Sequence, residues 1–204
     1  MTTPRLHLCR RNSAFTLIEL LVVITIIGVL AGMAFPVVTG VMERARKVKC
    51  LSTIKDLNVA INAYRTEYNH YPSEQKQEDE IRTNAASKLI QVLLAAESQQ
   101  KQDGLNPRGV KFIDLPPAKN GRGGLIGTSS DNYELVDEWG KPYYVIMDTD
   151  GDDKVKNPDL RNSDPKISGD APQELPLGVA VYSLGADGEK SATPTRKAIT
   201  SWRG

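Results

Sequence analysis

A single apolar segment near the amino terminus constrains the fold of this chain more than any other feature of its sequence. Residues 20–42 read LLVVITIIGVLAGMAFPVVTGVM, and within residues 12–42 the only charged residue is Glu19. A helix of this length is long enough to span the hydrocarbon core of a bilayer, which is about 30 Å thick. We therefore predict a transmembrane helix over residues 15–42, preceded by a polar leader at residues 1–14.

The small residue nearest the apolar run distinguishes this segment from a secretory signal peptide. A secretory signal is cut after its apolar core, whereas Ala14 precedes the run here. The run is also longer than a signal core, so we expect the helix to remain in the mature chain. Basic residues flank the segment on both sides, and the positive-inside rule therefore assigns no orientation.

Glu19 is the anomaly within the apolar stretch. A carboxylate at the edge of a membrane helix is costly unless it is neutralised or paired, and such residues usually serve a function. The alternative is that its side chain simply lies at the level of the lipid headgroups. The residue types alone leave both interpretations open.

The composition of the chain argues against several functional classes. Among 204 residues, 26 basic and 25 acidic side chains give a net charge of +1, whereas a general nucleic-acid-binding domain normally carries a basic excess. The chain has only 2 cysteines and 2 histidines, and it contains no Cys-x-x-Cys, His-Glu-x-x-His or Gly-x-Ser-x-Gly motif. We predict a protein that is not an enzyme, with a carboxylate-based enzyme as the alternative.

Downstream of the apolar segment, an amphipathic helix is predicted over residues 43–72. Apolar and aromatic side chains recur there at spacings of three or four residues, namely Val48, Leu51, Ile54, Leu57, Ile61, Tyr64 and Tyr68. No proline or glycine occurs between Gly40 and Pro72, so the helix is expected to continue to about His70. Residues 73–204 then form a head domain.

The head combines a second helix with short strands. Charged and glutamine-rich residues 73–84 predict a solvated loop, residues 85–96 a short helix, and residues 99–131 a mostly irregular segment. Residues 141–147 and 178–183 are rich in β-branched and aromatic residues, which predicts antiparallel strands. The fold class is therefore α+β: a long amino-terminal helix, half membrane and half amphipathic, packed against a small antiparallel β-sheet.

A run of acidic residues follows the first predicted strand. Asp148, Asp150 and Asp152 occupy alternate positions, a pattern that suits hard cations such as calcium. In the register of an EF-hand loop the twelfth position is Asp159, but position six is Asp153 rather than the glycine that such a loop requires. The sequence therefore does not predict an EF-hand. A different calcium loop and an acidic hairpin turn are the alternatives.

The start of the apolar segment carries a specific resemblance. Residues 13–20, SAFTLIEL, resemble the class III signal of type IV prepilins and type II secretion pseudoprepilins. The resemblance implies that a prepilin peptidase cuts between Ala14 and Phe15 and methylates the new Phe15 amine. Glu19 then corresponds to the family's glutamate, which can meet that amine of the next subunit in a filament. Ala14 stands where glycine is usual in the family.

Two motifs of the head extend the resemblance. Residues 137–143, DEWGKPY, and residues 182–188, YSLGADG, are similar to head-domain signatures of the type II secretion major pseudopilin. The resemblance implies a pilin-like head in which the loop after the second motif binds a structural calcium ion, with Leu184 and Asp187 as candidate ligands. The later acidic ligand of the family is absent, since residues 194–201 contain no carboxylate.

The resemblance implies a structural subunit of a type II secretion pseudopilus, anchored in the bacterial inner membrane with a cytoplasmic amino terminus and a periplasmic head. Gly28 and Pro36 match the helix-weakening residues of the family and are assigned to assembly. The expected partners are further copies of the chain, the prepilin peptidase, minor pseudopilins, and an assembly ATPase with its membrane platform; no nucleic acid is expected. The alternatives are a type IV pilus pilin and a membrane-anchored calcium-binding module that never polymerises.

Overall fold

The chain is described by a computed structural model in two compact units, Met1–Glu43 and Arg44–Gly204. The described residues are 15–74, 78–102, 104–127, 132–189 and 193–203. The predicted leader, including Ala14 on one side of the expected cleavage position, lies outside them.

The long helix α1, Leu17–Tyr68, begins in the first unit. Its apolar side chains there are exposed, and Leu17, Ile18 and Leu30 expose 82%, 69% and 62% of their surface. Apolar surface of this extent is typical of a segment that packs against other protein or lipid. The side chains of residues 33–39, Pro36 among them, lie outside the described set, although the backbone is helical.

The predicted transmembrane span stays a prediction. Over the part of the chain that the structure describes, no helix combines the length and the apolar character needed to cross a membrane.

In the second unit, the amphipathic half of α1 forms one wall of the head core. Its fully buried side chains recur every three or four residues, namely Cys50, Ile54, Leu57, Ile61 and Tyr64. This confirms the predicted stripe from Ile54 onward, but Val48 is 69% exposed and Cys50 takes the first core position instead. The helix ends at Tyr68, close to the predicted end, because Asn69 adopts a positive φ of 59°, a common helix terminator.

The described part of the head also contains eight short strands. In chain order they are β1 (Ile81–Arg82), β2 (Gly124–Ile126), β3 (Glu134–Val136), β4 (Tyr144–Met147), β5 (Val155–Lys156), β6 (Glu174–Leu175), β7 (Val179–Ser183) and β8 (Ile199–Thr200). Strands β1, β4, β7 and β8, in that spatial order, form an antiparallel sheet, while β2 pairs with β3 and β5 with β6. The two predicted strands are confirmed as β4 and β7.

The register of β4 and β7 explains how the sheet covers the helix. Val145 lies opposite Val181, and Tyr144 opposite Tyr182. Because side chains alternate between the faces of a strand, the two valines join the core that contains α1. The two tyrosines stack on the other face with ring centroids 4.9 Å apart, and Trp202 packs against them. The predicted α+β, pilin-like architecture is thus confirmed.

The predicted loop over residues 73–84 is wrong at its end. Ile81 is buried and pairs with Val145, so this segment supplies the edge strand β1. The buried Thr83 hydroxyl extends the junction, because it donates to the Leu135 carbonyl at 2.7 Å and accepts the Tyr143 N–H at 2.8 Å. Satisfied buried polar groups of this kind hold the segment against the sheet.

The remaining helical elements are short. Helix α2 spans Leu89–Leu93 instead of the predicted 85–96, and Ala95 takes a positive φ of 56° just beyond it. The side chains of Leu89, Val92, Leu93 and Ala96 in this segment are all buried. Helix α3 and three 3-10 turns complete the described elements, at Pro165–Ser168, Glu97–Gln99, Pro158–Arg161 and Gly185–Glu189.

Candidate functional site

The first described residues form a capping box at the start of α1. The Thr16 backbone N–H and hydroxyl both donate to Glu19 Oε2 at 2.8 Å, and the Glu19 N–H donates to Thr16 Oγ1 at 3.3 Å. A Thr-x-x-Glu arrangement satisfies backbone donors that a helix start leaves open. Glu19 therefore has a role within its own chain, beside the predicted role in assembly. Phe15 is 79% exposed.

Gly28 lies in the exposed part of α1, where a Cβ would meet no atom within 4 Å. Packing inside the chain therefore does not require glycine here. Glycine weakens a helix by about 1 kcal/mol relative to alanine, and it also permits close approach of a neighbouring chain. The assignment of Gly28 to assembly stays a prediction that agrees with this environment.

In the head, the buried carboxylate of Asp137 joins the two signature motifs. Its Oδ1 accepts the backbone N–H groups of Trp139 and Lys141, each at 2.9 Å, and its Oδ2 accepts the Ser183 hydroxyl at 2.5 Å. Ser183 Oγ in turn accepts the Gly185 N–H at 2.9 Å. Burial is the main cause that raises the pKa of Asp137. The two motifs are thus held together by buried hydrogen bonds, which gives them a structural role.

The predicted ligands of the second motif have other partners. Asp187 Oδ1 pairs with Lys197 Nζ at 2.9 Å, and its Oδ2 accepts the Thr195 hydroxyl at 3.0 Å. The Leu184 side chain is buried beside Tyr182. A leucine side chain carries no ligand atom, so only the main-chain carbonyl of Leu184 is suited to metal binding. An ammonium group therefore lies where the resemblance implies a cation beside Asp187.

The acidic run after β4 forms a second cluster. Ligand oxygens of Glu78, Asp148, Asp150 and Asp152 lie within 4.8 Å of one another. Asp148 is buried and shapes the loop, because its two oxygens accept the N–H groups of Gly151 and Asp153 at 2.6 and 3.0 Å. Several carboxylates converging on one point repel one another, and a divalent cation relieves that repulsion.

Glu78 is the member of this cluster that the sequence interpretation missed. The pairing of Ile81 with Val145 in β1 and β4 is antiparallel, so continuing the register places residue 78 opposite residue 148. Burial raises the pKa of Glu78. The hydrogen bond from the Lys156 N–H lowers the pKa, and the nearby charges of Asp150 and Asp152 raise it. Only the pairing of a two-residue strand reveals this neighbour.

Asp159, the twelfth position of the EF-hand register, belongs to a different site. Its carboxylate accepts the Trp202 indole N–H at 2.8 Å and the Asn162 amide at 3.1 Å. Arg203 Nε lies 3.2 Å from the same Oδ2 atom that binds Trp202. Asp159 therefore anchors the carboxyl-terminal residues, and the structure agrees that the acidic run is not an EF-hand.

Comparison with known proteins places these features in a family. Residues 9–35 match the prokaryotic N-terminal methylation motif. The type II secretion system core protein G of Aeromonas hydrophila is 39% identical over 145 residues, which cover 63% of this chain and 96% of that protein. The core protein G of Pseudomonas aeruginosa is 26% identical over 197 residues, covering 95% of this chain and 96% of the relative.

The core protein G of Pectobacterium carotovorum is 30% identical over 129 residues, covering 59% of this chain and 83% of the relative. No solved structure matches the chain significantly. The methylation motif includes the capping box, and the Aeromonas relative is covered almost from end to end at 39% identity. This chain therefore belongs to the family of the type II secretion system core protein G.

Proposed function

We propose that the chain is a structural subunit of a type II secretion pseudopilus. The observation that carries the proposal is an amino-terminal methylation motif followed by a helix whose apolar side chains are exposed. Subunits wait in the inner membrane with cytoplasmic amino termini and periplasmic heads, and they assemble into a filament in which the apolar helices cover one another. A head-to-tail contact that does not close on itself builds such a filament.

Glu19 and the Phe15 amine of a neighbouring subunit supply that contact in the proposal. A carboxylate among apolar groups requires a positive partner, and an amine freed by cleavage provides one. Both bonds from Thr16 end on one carboxylate oxygen, Oε2. A carboxylate has about four acceptor positions, so capping and pairing are compatible. The prepilin peptidase, an assembly ATPase with its platform, and minor pseudopilins are the partners that this function requires.

The head supports a structural rather than a catalytic role. Burial raises the pKa of the Cys50 thiol to about 12, so the thiol stays protonated at neutral pH and is a poor nucleophile. Asp137 spends its carboxylate oxygens on hydrogen bonds to the two signature motifs. These groups stabilise the fold.

The amino terminus provides the first test. Mass spectrometry of the chain purified from its native membrane is expected to show a mature protein that begins with N-methylated Phe15. An Ala14→Gly variant should give the same terminus, with processing at least as complete, because glycine is the usual residue of the resembled signal. Phe15 preceded by an intact leader, or a cut after the apolar segment, would contradict the family mechanism.

We also propose that the cluster of Glu78, Asp148, Asp150 and Asp152 binds calcium. The converging oxygens support this site, and the Asp187–Lys197 pair argues against the loop that the resemblance implies. Calcium at about 100 times its Kd would stabilise the head by about 2.7 kcal/mol, equivalent to about 5–10 °C in Tm for a domain of this size.

Calcium-dependent melting tests the site. The Asp150→Asn/Asp152→Asn variant should lose the calcium-dependent rise in Tm but melt no lower than the parent in chelator, because exposed carboxylates that repel one another have been neutralised. Asp148→Ala is less informative, since that side chain also holds the loop. Loss of the calcium effect only in Asp187→Asn would instead locate the ion at the second motif.

A further inference from the structure

A cleft at the start of the head carries an excess of positive charge. It has a volume of about 400 Å³ and is lined by Arg46 and Lys49 of α1, Lys119 and Arg122 of a turn, and Glu138. Among the described residues, four cations thus share the cleft with one carboxylate. Two segments distant in sequence supply these cations, so the helical periodicity of α1 alone does not reveal the site.

The one carboxylate is already paired. Lys49 Nζ lies 2.9 Å from Glu138 Oε1, and the Glu138 side chain is only 13% exposed. Gly123 makes this arrangement possible, because it has a φ of 65° and a Cβ there would lie 2.5 Å from Glu138 Oε1. The ion pair cancels the charge of Lys49, and Lys119 and Arg122 keep the cleft positive.

The turn that carries the other two cations is closed by its own backbone hydrogen bonds. Lys119 and Arg122 exchange backbone hydrogen bonds of 2.9 and 3.1 Å. Between them Asn120 and Gly121 both have positive φ, at 53° and 71°, which is the conformation of a type I′ hairpin turn. Both cationic side chains are exposed and start from a fixed backbone, and such preorganisation lowers the entropy that binding must overcome.

We propose that this cleft binds the phosphate headgroup of an anionic phospholipid. The inference rests on the membrane anchoring in the proposed function. Arg46 follows Met42, the last residue of the predicted membrane segment, by four residues, and four residues extend no further than about 14 Å. Guanidinium and ammonium groups are the usual ligands of phosphate oxygens, and basic residues beside a membrane segment are attracted to anionic lipid.

Native mass spectrometry of the full chain in uncharged detergent micelles tests the proposal. Titration with phosphatidylglycerol is expected to give one tightly bound lipid, whereas phosphatidylcholine should bind at least about tenfold more weakly. A direct, charge-assisted contact with a phosphate oxygen contributes at least about fivefold in affinity for each cation. Lys119→Gln/Arg122→Gln should therefore weaken phosphatidylglycerol binding by about 25-fold.

A second double variant is the matched control. Arg44 and Lys47 are exposed on α1 beside the membrane segment but do not line the cleft. Arg44→Gln/Lys47→Gln removes the same charge and should weaken binding by less than about threefold, provided the cleft rather than general charge holds the lipid. Equal losses in both double variants would overturn the proposal, as would equal binding of phosphatidylcholine.

Two further outcomes would overturn the lipid proposal, because each would identify a different occupant of the cleft. Displacement of the lipid by inorganic phosphate at equal concentration would identify a site for free phosphate. Pairing of chains that the Lys119→Gln/Arg122→Gln variant abolishes would identify a second copy as the occupant. The measurement uses dispersed chains, so it stands apart from filament assembly: lipid binding without filaments counts against the proposed function alone.

Discussion

Replacing Glu19 by alanine is expected to abolish filament assembly while the head stays folded and the chain stays in the membrane. The proposed contact places this carboxylate against the Phe15 amine of a neighbouring subunit in an apolar environment. Removing one partner of a desolvated charge pair typically weakens an interface by at least about 30-fold, and a filament repeats that loss at every subunit. Electron microscopy and sedimentation of filaments measure the effect, with membrane fractionation as the check on insertion.

The capping box supplies the matched control for this prediction. Thr16→Ala removes the two hydrogen bonds that the Thr16 hydroxyl makes with Glu19. The variant keeps the Glu19 carboxylate and the hydrogen bond that it accepts from the backbone N–H of residue 16. A lost amino-terminal cap weakens a helix by about 1 kcal/mol, so this variant should still form filaments. Normal filaments from Glu19→Ala would show that assembly does not need the carboxylate. Equal loss in Thr16→Ala would show that the carboxylate acts through its own helix.

Replacing Asp137 by alanine is expected to destabilise the head by about 3–5 kcal/mol. The substitution leaves two buried donors, the Trp139 N–H and the Ser183 hydroxyl, and the partly buried Lys141 N–H without their acceptor. A buried donor left unsatisfied costs about 1–3 kcal/mol, and a partly buried one costs less because water reaches it. Thermal unfolding of the full chain should show a Tm lower by roughly 6–20 °C. The contact between residues 137–143 and residues 182–188 is expected to be lost first.

Asp187→Ala is the comparison for this effect. Asp187 belongs to the second motif, but its partner Lys197 has a side chain that is 59% exposed, and pairs exposed to this degree contribute at most about 1 kcal/mol. A similar loss of Tm in both variants would mean that Asp137 is no more important than a surface carboxylate.

The titration of Asp137 gives an independent check. Burial raises its pKa in the folded chain, so the folded state favours the protonated carboxyl. The stability that this group contributes is therefore fully present below the unfolded pKa of about 3.9 and is lost as pH rises through the folded pKa. The stability advantage of the parent over Asp137→Asn should fall as pH rises above about 4, and a pH-independent difference would contradict the assignment.

The sequence was informative where a pattern repeats over many residues. The stripe that includes Ile54, Leu57 and Ile61 predicted the buried face of α1, and the β-branched runs predicted β4 and β7. Strand β1 was missed because its two residues are too short to alternate. Glu78 was missed with it, since only the β1–β4 register brings that side chain to Asp148.

Other features required knowledge of the assembled head. The Asp137–Ser183 bond joins motifs that are far apart in sequence, and no local pattern reports it. The engagement of Asp187 by Lys197 likewise depends on how the last residues fold back. The capping box is different, because Thr16-Leu17-Ile18-Glu19 is a Thr-x-x-Glu pattern that is visible in the sequence itself.

The shape of the sheet has a consequence for crowded surroundings. Its two edges, β1 and β8, are each only two residues long. Long unpaired edges recruit strands from neighbouring molecules, and short edges give them little to join. When many heads lie side by side, edges this short give almost no opportunity for strand pairing between one head and the next. Strand pairing between neighbouring heads is therefore not expected to join one subunit to the next.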